Sequence, residues 1–409
     1  MYPVWLILVA AFFIHMAMYS TRHSFGVFFK SLECEFDLTR TVTSSVFSLH
    51  MLLGAAISLL GGWALDKYGA RKTVALMGLL IMLGFVLTSQ TNQSWQLFIT
   101  YSLLLALGTS AGHTILMSTV SRAFEHKRGF ALGVASAGGG LGTLFISPLS
   151  AYLITSFGWR FASIIIGLIA GLVVIILSPL LKHSASTGKM GGGEYAIKPD
   201  TDGFHLSVTA SEPYLPNYTF SEAIRLASFW FLCIAYLLQS SALYLVNTHV
   251  VPHAIDNGIP TIEAAIILSI IGSGNVAGRL LFGFISDTVG ATRIAIFASL
   301  LGAAALALLL FSVERGVFYV FAALFGLAWG GFGTMGTLLA SRLFGVRSIG
   351  LTIGSINVGW HIGAAFGPAL GGFVFDATAS YFMAFIIGII WLLLASLFLG
   401  LIKVSAKCS

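Results

Sequence analysis

Residues 62–72 read Gly-Trp-Ala-Leu-Asp-Lys-Tyr-Gly-Ala-Arg-Lys, and residues 283–293 read Gly-Phe-Ile-Ser-Asp-Thr-Val-Gly-Ala-Thr-Arg. They share the pattern Gly-x-x-x-Asp-x-x-Gly-Ala-x-Lys/Arg at an offset of 283 − 62 = 221 residues. Each copy closes a long apolar run and ends on a cation, so each reads as a tight polar turn between two membrane helices. Gly62, Gly69, Gly283 and Gly290 allow close helix approach and a sharp reversal. Asp66 and Asp287 are placed to cap a neighbouring helix and to pair with loop cations such as Lys72 and Arg293. That contact would form in one conformation and break in another. A plain turn with solvated charge would explain one copy equally well, but two matched copies favour the latch. A second echo links Pro148 to Pro368, at an offset of 368 − 148 = 220.

The rest of the chain has the composition such turns require. Of its 409 residues, 57% are hydrophobic and 9% charged, with a mean hydropathy of +0.94; soluble domains carry about 25% charged residues. This is a polytopic membrane protein. Twelve apolar stretches, near 5–29, 41–65, 73–90, 96–121, 129–156, 160–182, 226–251, 263–287, 293–312, 317–341, 349–376 and 381–402, are each able to cross the bilayer. They are too long for barrel strands. The first is not expected to be a cleaved signal, because Met1-Tyr2-Pro3 supplies no cation ahead of it. A polar segment over 183–217 separates six stretches from six. The expected organisation is therefore all-α: an N-terminal six-helix bundle over 1–182, a cytoplasmic linker over 183–222 and a C-terminal six-helix bundle over 223–409. Thr219-x-x-Glu222 matches a capping box ahead of the seventh stretch. Repeated halves of this kind are the layout of many secondary carriers, which hold substrate between the halves near midplane.

The net charge of +6 is a matter of topology and implies no nucleic-acid partner. With both termini inside, Lys67, Arg71, Lys72, Arg122, Lys127, Arg128, Lys182, Lys189, Lys198, Arg225, Arg293, Arg342, Arg347, Lys403 and Lys407 face the cytoplasm. Only Lys30, Arg40, Arg160 and Arg315 face outward. Fifteen cations against four is a strong positive-inside bias. Cys34, Cys233 and Cys408 lie far apart without metal-ligand spacing and receive no role. No P-loop, zinc motif or dinucleotide fingerprint is present, so no metal, no cofactor and no enzymatic activity is expected.

The two remaining cations, Arg22 and Arg279, lie within spans. Arg279 sits in an apolar segment over 264–285 that contains no acid. A guanidinium there costs roughly 2.5–3.5 kcal/mol even on insertion scales, so it is expected to face the bundle interior and await an anion. No Asp or Glu lies deep in any span, which argues for an anionic cargo. The planar fork of Arg279 suits a carboxylate. Asn275, one helical turn earlier on the same face, is placed to orient the Arg or to meet a substrate hydroxyl or keto oxygen. His361 falls near midplane and titrates near physiological pH. Leu144 and Trp329 are candidate walls for the apolar end of a short acid. The bland alternatives are an Arg satisfied by helix-end carbonyls, a core histidine and ordinary aromatic packing. Arg22 and His23 lie in the outer part of the first span as candidates for anion attraction or proton coupling, unless Arg22 snorkels to the interface. His113, in a Gly/Ser/Thr-containing stretch, is a weaker candidate of the same kind. His15, His50 and His249 read as structural.

The motifs GWALDKYGARK and GFISDTVGATR resemble the loop signature of the major facilitator superfamily, and the resemblance covers nearly the whole chain. SFGVFFKSLECEF at 24–36, KRGFALGVASAGGGLGTLFISPL at 127–149, HVVPHAIDNG at 249–258 and GNVAGRLLFGFISD at 274–287 resemble the monocarboxylate porters and their bacterial relatives, including the oxalate/formate exchangers. The resemblance implies alternating access, a lactate- or pyruvate-like anion and a proton as cargo, and a plasma (inner) membrane home, the chain acting as a monomer in the lipid bilayer. In the animal porters the residue matching Asn275 is an Asp that pairs with the Arg; that acid is absent here. His23 matches a Lys linked to proton and substrate binding. The region of His361 holds a Lys in the exchangers, giving two cations for a dianion, so a His there suits a monoanion. Proton carriage stays open among His361, His23, Asp66, Asp287 and the substrate itself. Two other readings compete: an exchanger of a small dicarboxylate with a monocarboxylate, and a non-transporting organic-acid sensor, which the short linker disfavours.

Overall fold

The computed structural model describes residues 4–124, 128–181, 218–311, 314–345 and 349–402. Among the described residues there is no strand, and twelve helices are long and apolar enough to cross a membrane. They are α1 Val4–Glu35, α2 Arg40–Ser58, α3 Lys67–Ser89, α4 Ser94–Ala123, α5 Ala131–Phe157 and α6 Trp159–Leu181, followed by α7 Ala227–Asp256, α8 Thr261–Ser286, α9 Ala291–Phe311, α10 Arg315–Phe344, α11 Thr352–Thr378 and α12 Phe382–Gly400. Large apolar side chains such as Phe284 and Phe311, 82% and 86% exposed, point outward. That is the surface a bilayer covers and water does not.

The repeated motif folds alike in both copies. Helical backbone runs from Arg40 to Ser89 with one break, at Gly69, whose φ is 80°. Gly290, φ 97°, ends the helix that contains α8, and Ala291 starts α9. Only glycine adopts this left-handed geometry without a Cβ penalty, so the second glycine of the motif is the turn residue in each half. Lys72 and Arg293 are exposed beside these turns. The carboxylates of Asp66 and Asp287 lie outside the described residues, as do residues 183–217 of the expected 183–222 linker. The capping box exists, with the Thr219 N–H donating to Glu222 Oε2 at 2.8 Å. It caps a single turn, Phe220–Ala223, which precedes α7 and is not its start.

Small residues set the helix spacing. In lipid no hydrophobic force drives helices together, so close backbone contact must supply the attraction. A Cβ added to Gly274 on α8 would lie 3.0 Å from Gly326 Cα on α10. Gly138 and Gly142 of α5 face the backbone of Phe12 and Met16 on α1. A Cβ on Gly140 of α5 would lie 3.0 Å from the Gly272 carbonyl of α8, so this contact joins the first six helices to the last six.

The same two sets also meet along α2 and α11, and along α1 and α7. At one end of this seam the contact is ionic. Arg40 Nη2 lies 2.6 Å from Asp256 Oδ2, and Arg40 Nε lies 3.1 Å from Glu33 Oε1. Arg40 Nη1 donates to the Tyr381 hydroxyl at 2.6 Å, and its guanidinium stacks on the Phe375 ring at 3.7 Å. Lys30 Nζ adds a bond to Asp256 at 2.8 Å. Asp376 accepts from the backbone N–H groups of Arg40 and Thr41 at 2.9 and 2.8 Å. Arg40 is 3% exposed. Glu33, Asp256 and Asp376 are thus helix-end groups engaged in a clasp. The contact of α2 with α11 continues inward from Gly372 beside Ser44 to Gly54, where a Cβ would lie 3.5 Å from His361 Cδ2.

Candidate functional site

Helix α8 carries the centre of the site. Its 3.6-residue period puts Asn275 and Arg279 on one face, and Arg279 Nε–H donates to Asn275 Oδ1 at 3.1 Å. That bond fixes the plane of the guanidinium and leaves its terminal fork available. Asn275 is 2% exposed and its Nδ2 has no partner. The fork reaches over Gly333 of α10, where a Cβ would lie 3.4 Å from Nη2; a bulkier residue would crowd it. Gly330 lies directly against the Arg279 backbone. The glycines of α10 therefore position this arginine as well as packing the helix. Among the described residues no carboxylate pairs with Arg279, and its one hydrogen bond is to Asn275.

Three other helices bring polar groups toward it. From α1 and α4 come His15 and His113, with His113 Nδ1 3.3 Å from His15 Nε2. The charge of Arg279 is near enough to act on both rings. Tyr19, on the same face of α1, has its ring 4.8 Å from that of His15 and also lies within range of Arg279. From α11 comes His361. Its Nδ1 bonds the Asn357 carbonyl one turn earlier, at 2.9 Å, leaving Nε2 for a ligand. The ring is partly exposed. Leu144 lies half-buried in the seam, its carbonyl accepting from Ser269 Oγ of α8 at 2.8 Å.

Arg22 and His23 form an adjoining layer. Arg22 is 9% exposed and lies over the Tyr19 ring at 5.4 Å. Its side chain is enclosed by protein and does not lie along the outer surface of α1, which extends to Glu35. Its charge acts on His113 and His361. His23 is fully buried, stacked on Tyr244 at 5.9 Å and edge-on to Trp329 at 5.1 Å. Neither of its ring nitrogens meets hydrogen-bond geometry with a partner. Trp329, expected as a pocket wall, is 5% exposed and packs as part of the aromatic box around His23. His50 and His249 are held by carbonyls, of Tyr101 at 3.4 Å and of Pro368 at 2.8 Å.

Sequence reasoning missed His15, Tyr19 and Tyr244. A signal for the first two was present: His15, Tyr19, Arg22 and His23 follow one another at spacings of four, three and one, a polar stripe on a single face of an otherwise apolar helix.

Twelve membrane-crossing helices in two six-helix sets, closed around a half-buried cation that no carboxylate among the described residues neutralises, define a multi-pass membrane transporter. The chain belongs to the Major Facilitator Superfamily, whose family description matches residues 7–368 and 232–407. It is similar to monocarboxylate transporter 11 of Homo sapiens, 25% identical over 99% of this chain and 84% of that one. It is also similar to monocarboxylate transporter 13 of Rattus norvegicus, 24% identical over 96% of this chain and 87% of the relative. The fold matches that of a bacterial homologue of the human lysosomal transporter Spinster, solved in an inward-facing, unoccupied conformation. There the TM-score is 0.73 at 16% identity, covering 98% of this chain and 97% of that one.

Proposed function

We propose that this protein carries short monocarboxylates of the lactate and pyruvate type across the plasma (inner) membrane together with a proton. The observation that carries this reading is Arg279, a guanidinium on the seam with an oriented, unneutralised fork. A buried unpaired cation is costly, and a carboxylate is the anion whose geometry matches it. The relatives named as monocarboxylate transporters support the same class of cargo.

The mechanism is alternating access, with residues 1–182 and 223–409 rocking as two bodies about the seam. Under the positive-inside reading both termini are cytoplasmic and the Arg40 clasp is external, so the conformation described above faces inward. The carboxylate takes two parallel hydrogen bonds from Arg279, while Asn275 holds the fork. His361 Nε2 meets the hydroxyl or keto oxygen, and Leu144 lies against the apolar end, with Trp329 bracing the layer beyond. The anion offsets the charge of Arg279, the proton enters with it, and the loaded site releases the halves to rock. In the outward-facing state the clasp opens and the latch of Asp66 and Asp287, with Lys72 and Arg293, closes the cytoplasmic side.

Calorimetric binding tests this directly. L-lactate and pyruvate should bind and methyl lactate should not, because the ester lacks the charge; equal binding of the ester removes the carboxylate reading. Arg279→Lys should weaken L-lactate by roughly tenfold or more, since a point charge replaces only part of a two-bond fork. Near-normal affinity would show that charge alone suffices. His361→Ala should weaken binding about tenfold, the worth of one hydrogen bond to a charged or strongly polar group, and an unchanged isotherm would return this histidine to the core.

One observation favours a second reading. Arg22 is buried and inward, so the protein holds a second fixed cation near the site. That is what exchange of a small dicarboxylate against a monocarboxylate would use. Strong trans-stimulation by oxalate with little pH dependence identifies this mode. Binding without flux would identify a sensor.

A further inference from the structure

We infer that His15 and His113 together form the proton site of this carrier, an assignment that rests on the proton-coupled reading above. The two rings are the histidine pair in hydrogen-bond contact, Nδ1 to Nε2 at 3.3 Å with centroids 5.2 Å apart. His15 is 2% exposed, whereas His113 is exposed. One partner is therefore sealed in protein, and the other is open to water arriving with the substrate.

One tautomer arrangement of the neutral pair leaves an accessible nitrogen for the proton. His15 keeps its proton on Nδ1, which faces the Ala135 backbone of α5 without meeting hydrogen-bond geometry. Its Nε2 lone pair then accepts the proton of His113 Nδ1. His113 Nε2 is left with a free lone pair and no protein partner. A proton from water adds there, no bond between heavy atoms breaks, and the imidazolium donates a charge-assisted bond to His15, stronger than the neutral one it replaces.

The surroundings make that step conditional on the anion. The titratable and charged groups facing the pair are Tyr19 and Arg22 on α1, Arg279 on α8 and His361 on α11. Neither Asp nor Glu is among them. With the pocket empty, a further proton joins a field that is already positive. With a carboxylate on Arg279, its negative charge offsets the arginine's field at the pair, and the proton is accommodated. Anion and proton thus favour each other's binding, which is reciprocal linkage. Three of the other described histidines each lack a needed feature. His23 is fully buried without an exposed edge, and His50 and His249 are tied to carbonyls.

The test measures proton uptake when L-lactate binds the purified full chain in weakly buffered detergent, together with the pH profile of its affinity. Wild-type protein should take up a proton as lactate binds, with affinity falling as pH rises. His113→Gln should abolish that uptake and flatten the profile by at least about tenfold over the titration range, and His15→Gln should do the same. A side chain that merely packs would leave the slope untouched. Uptake retained in His113→Gln overturns the assignment, and so does complete loss of binding, which would place the pair in anion binding. Absence of uptake in the wild type sinks the proton-coupled reading itself, a separate failure. Wild-type protein labelled with 15N-histidine gives a variant-independent check: L-lactate should convert these two rings to the charged, shared-proton form, and unchanged ring signals overturn the inference.

Discussion

Arg279→Ala should eliminate measurable L-lactate binding, raising Kd at least about 100-fold, while leaving the protein folded and no less stable to heat. Two charge-assisted hydrogen bonds to a carboxylate, each worth about 1.5–3 kcal/mol, are lost together, and about 3 kcal/mol is already more than 100-fold in affinity. The stability half of the expectation separates this from ordinary damage. In the empty protein the guanidinium has one hydrogen bond, to Asn275, and no carboxylate partner among the described residues. Deleting it removes a half-buried charge that costs free energy in the membrane interior and breaks no ion pair among the described residues. Calorimetry and a melting curve on the same sample check both halves. Retained affinity contradicts the binding role, and a lowered melting temperature contradicts the view that this arginine is held at a cost for function.

Arg40→Ala should have the second large effect, on conformation. Arg40 ties Glu33 to Asp256 and to Tyr381, and its ring contact reaches Phe375 on α11. Removing it leaves the acids partly buried without their principal cation. Breaking a buried charge cluster by deleting one partner costs about 3–5 kcal/mol. Because these contacts join α1 and α2 to α7, α11 and the start of α12, that cost falls on the state in which this end is closed. A shift of this size moves a two-state population by more than about 100-fold. Hydrogen–deuterium exchange should rise together over 30–44, 249–258 and 368–381, with little change around Gly69 and Gly290. Unchanged exchange at the clasp would mean that backbone contacts, such as those of Asp376 with Arg40 and Thr41, hold the end shut on their own.

Much of the fold could be read from the chain because its strongest signals are local. An apolar run long enough to span a bilayer cannot be placed elsewhere, and a glycine that must adopt positive φ, as Gly69 and Gly290 do, marks the same turn twice. Arg279 was legible for a related reason: a charge in hydrocarbon is costly enough to demand a purpose. The rest depended on contacts that no local pattern carries. Asp256 and Arg40 are 216 residues apart (256 − 40), and no local pattern links them; they meet only when the two six-helix sets come together. His15 lies among Phe, Ile and Met on α1, where a single histidine reads as core. Its meaning comes from His113, 98 residues away on α4. Trp329 shows the same dependence, since an aromatic on a glycine-rich helix left pocket wall and core packing both open, and its ring packs edge-on to His23.

Uptake of labelled L-lactate into proteoliposomes, with and without an inwardly directed proton gradient, tests the central claim most directly. Proton-coupled carriage predicts accumulation above equilibrium when the gradient is present and its collapse when the gradient is dissipated. No accumulation, with rapid exchange in vesicles preloaded with oxalate or formate, would contradict it and establish an exchanger built around Arg279 and Arg22.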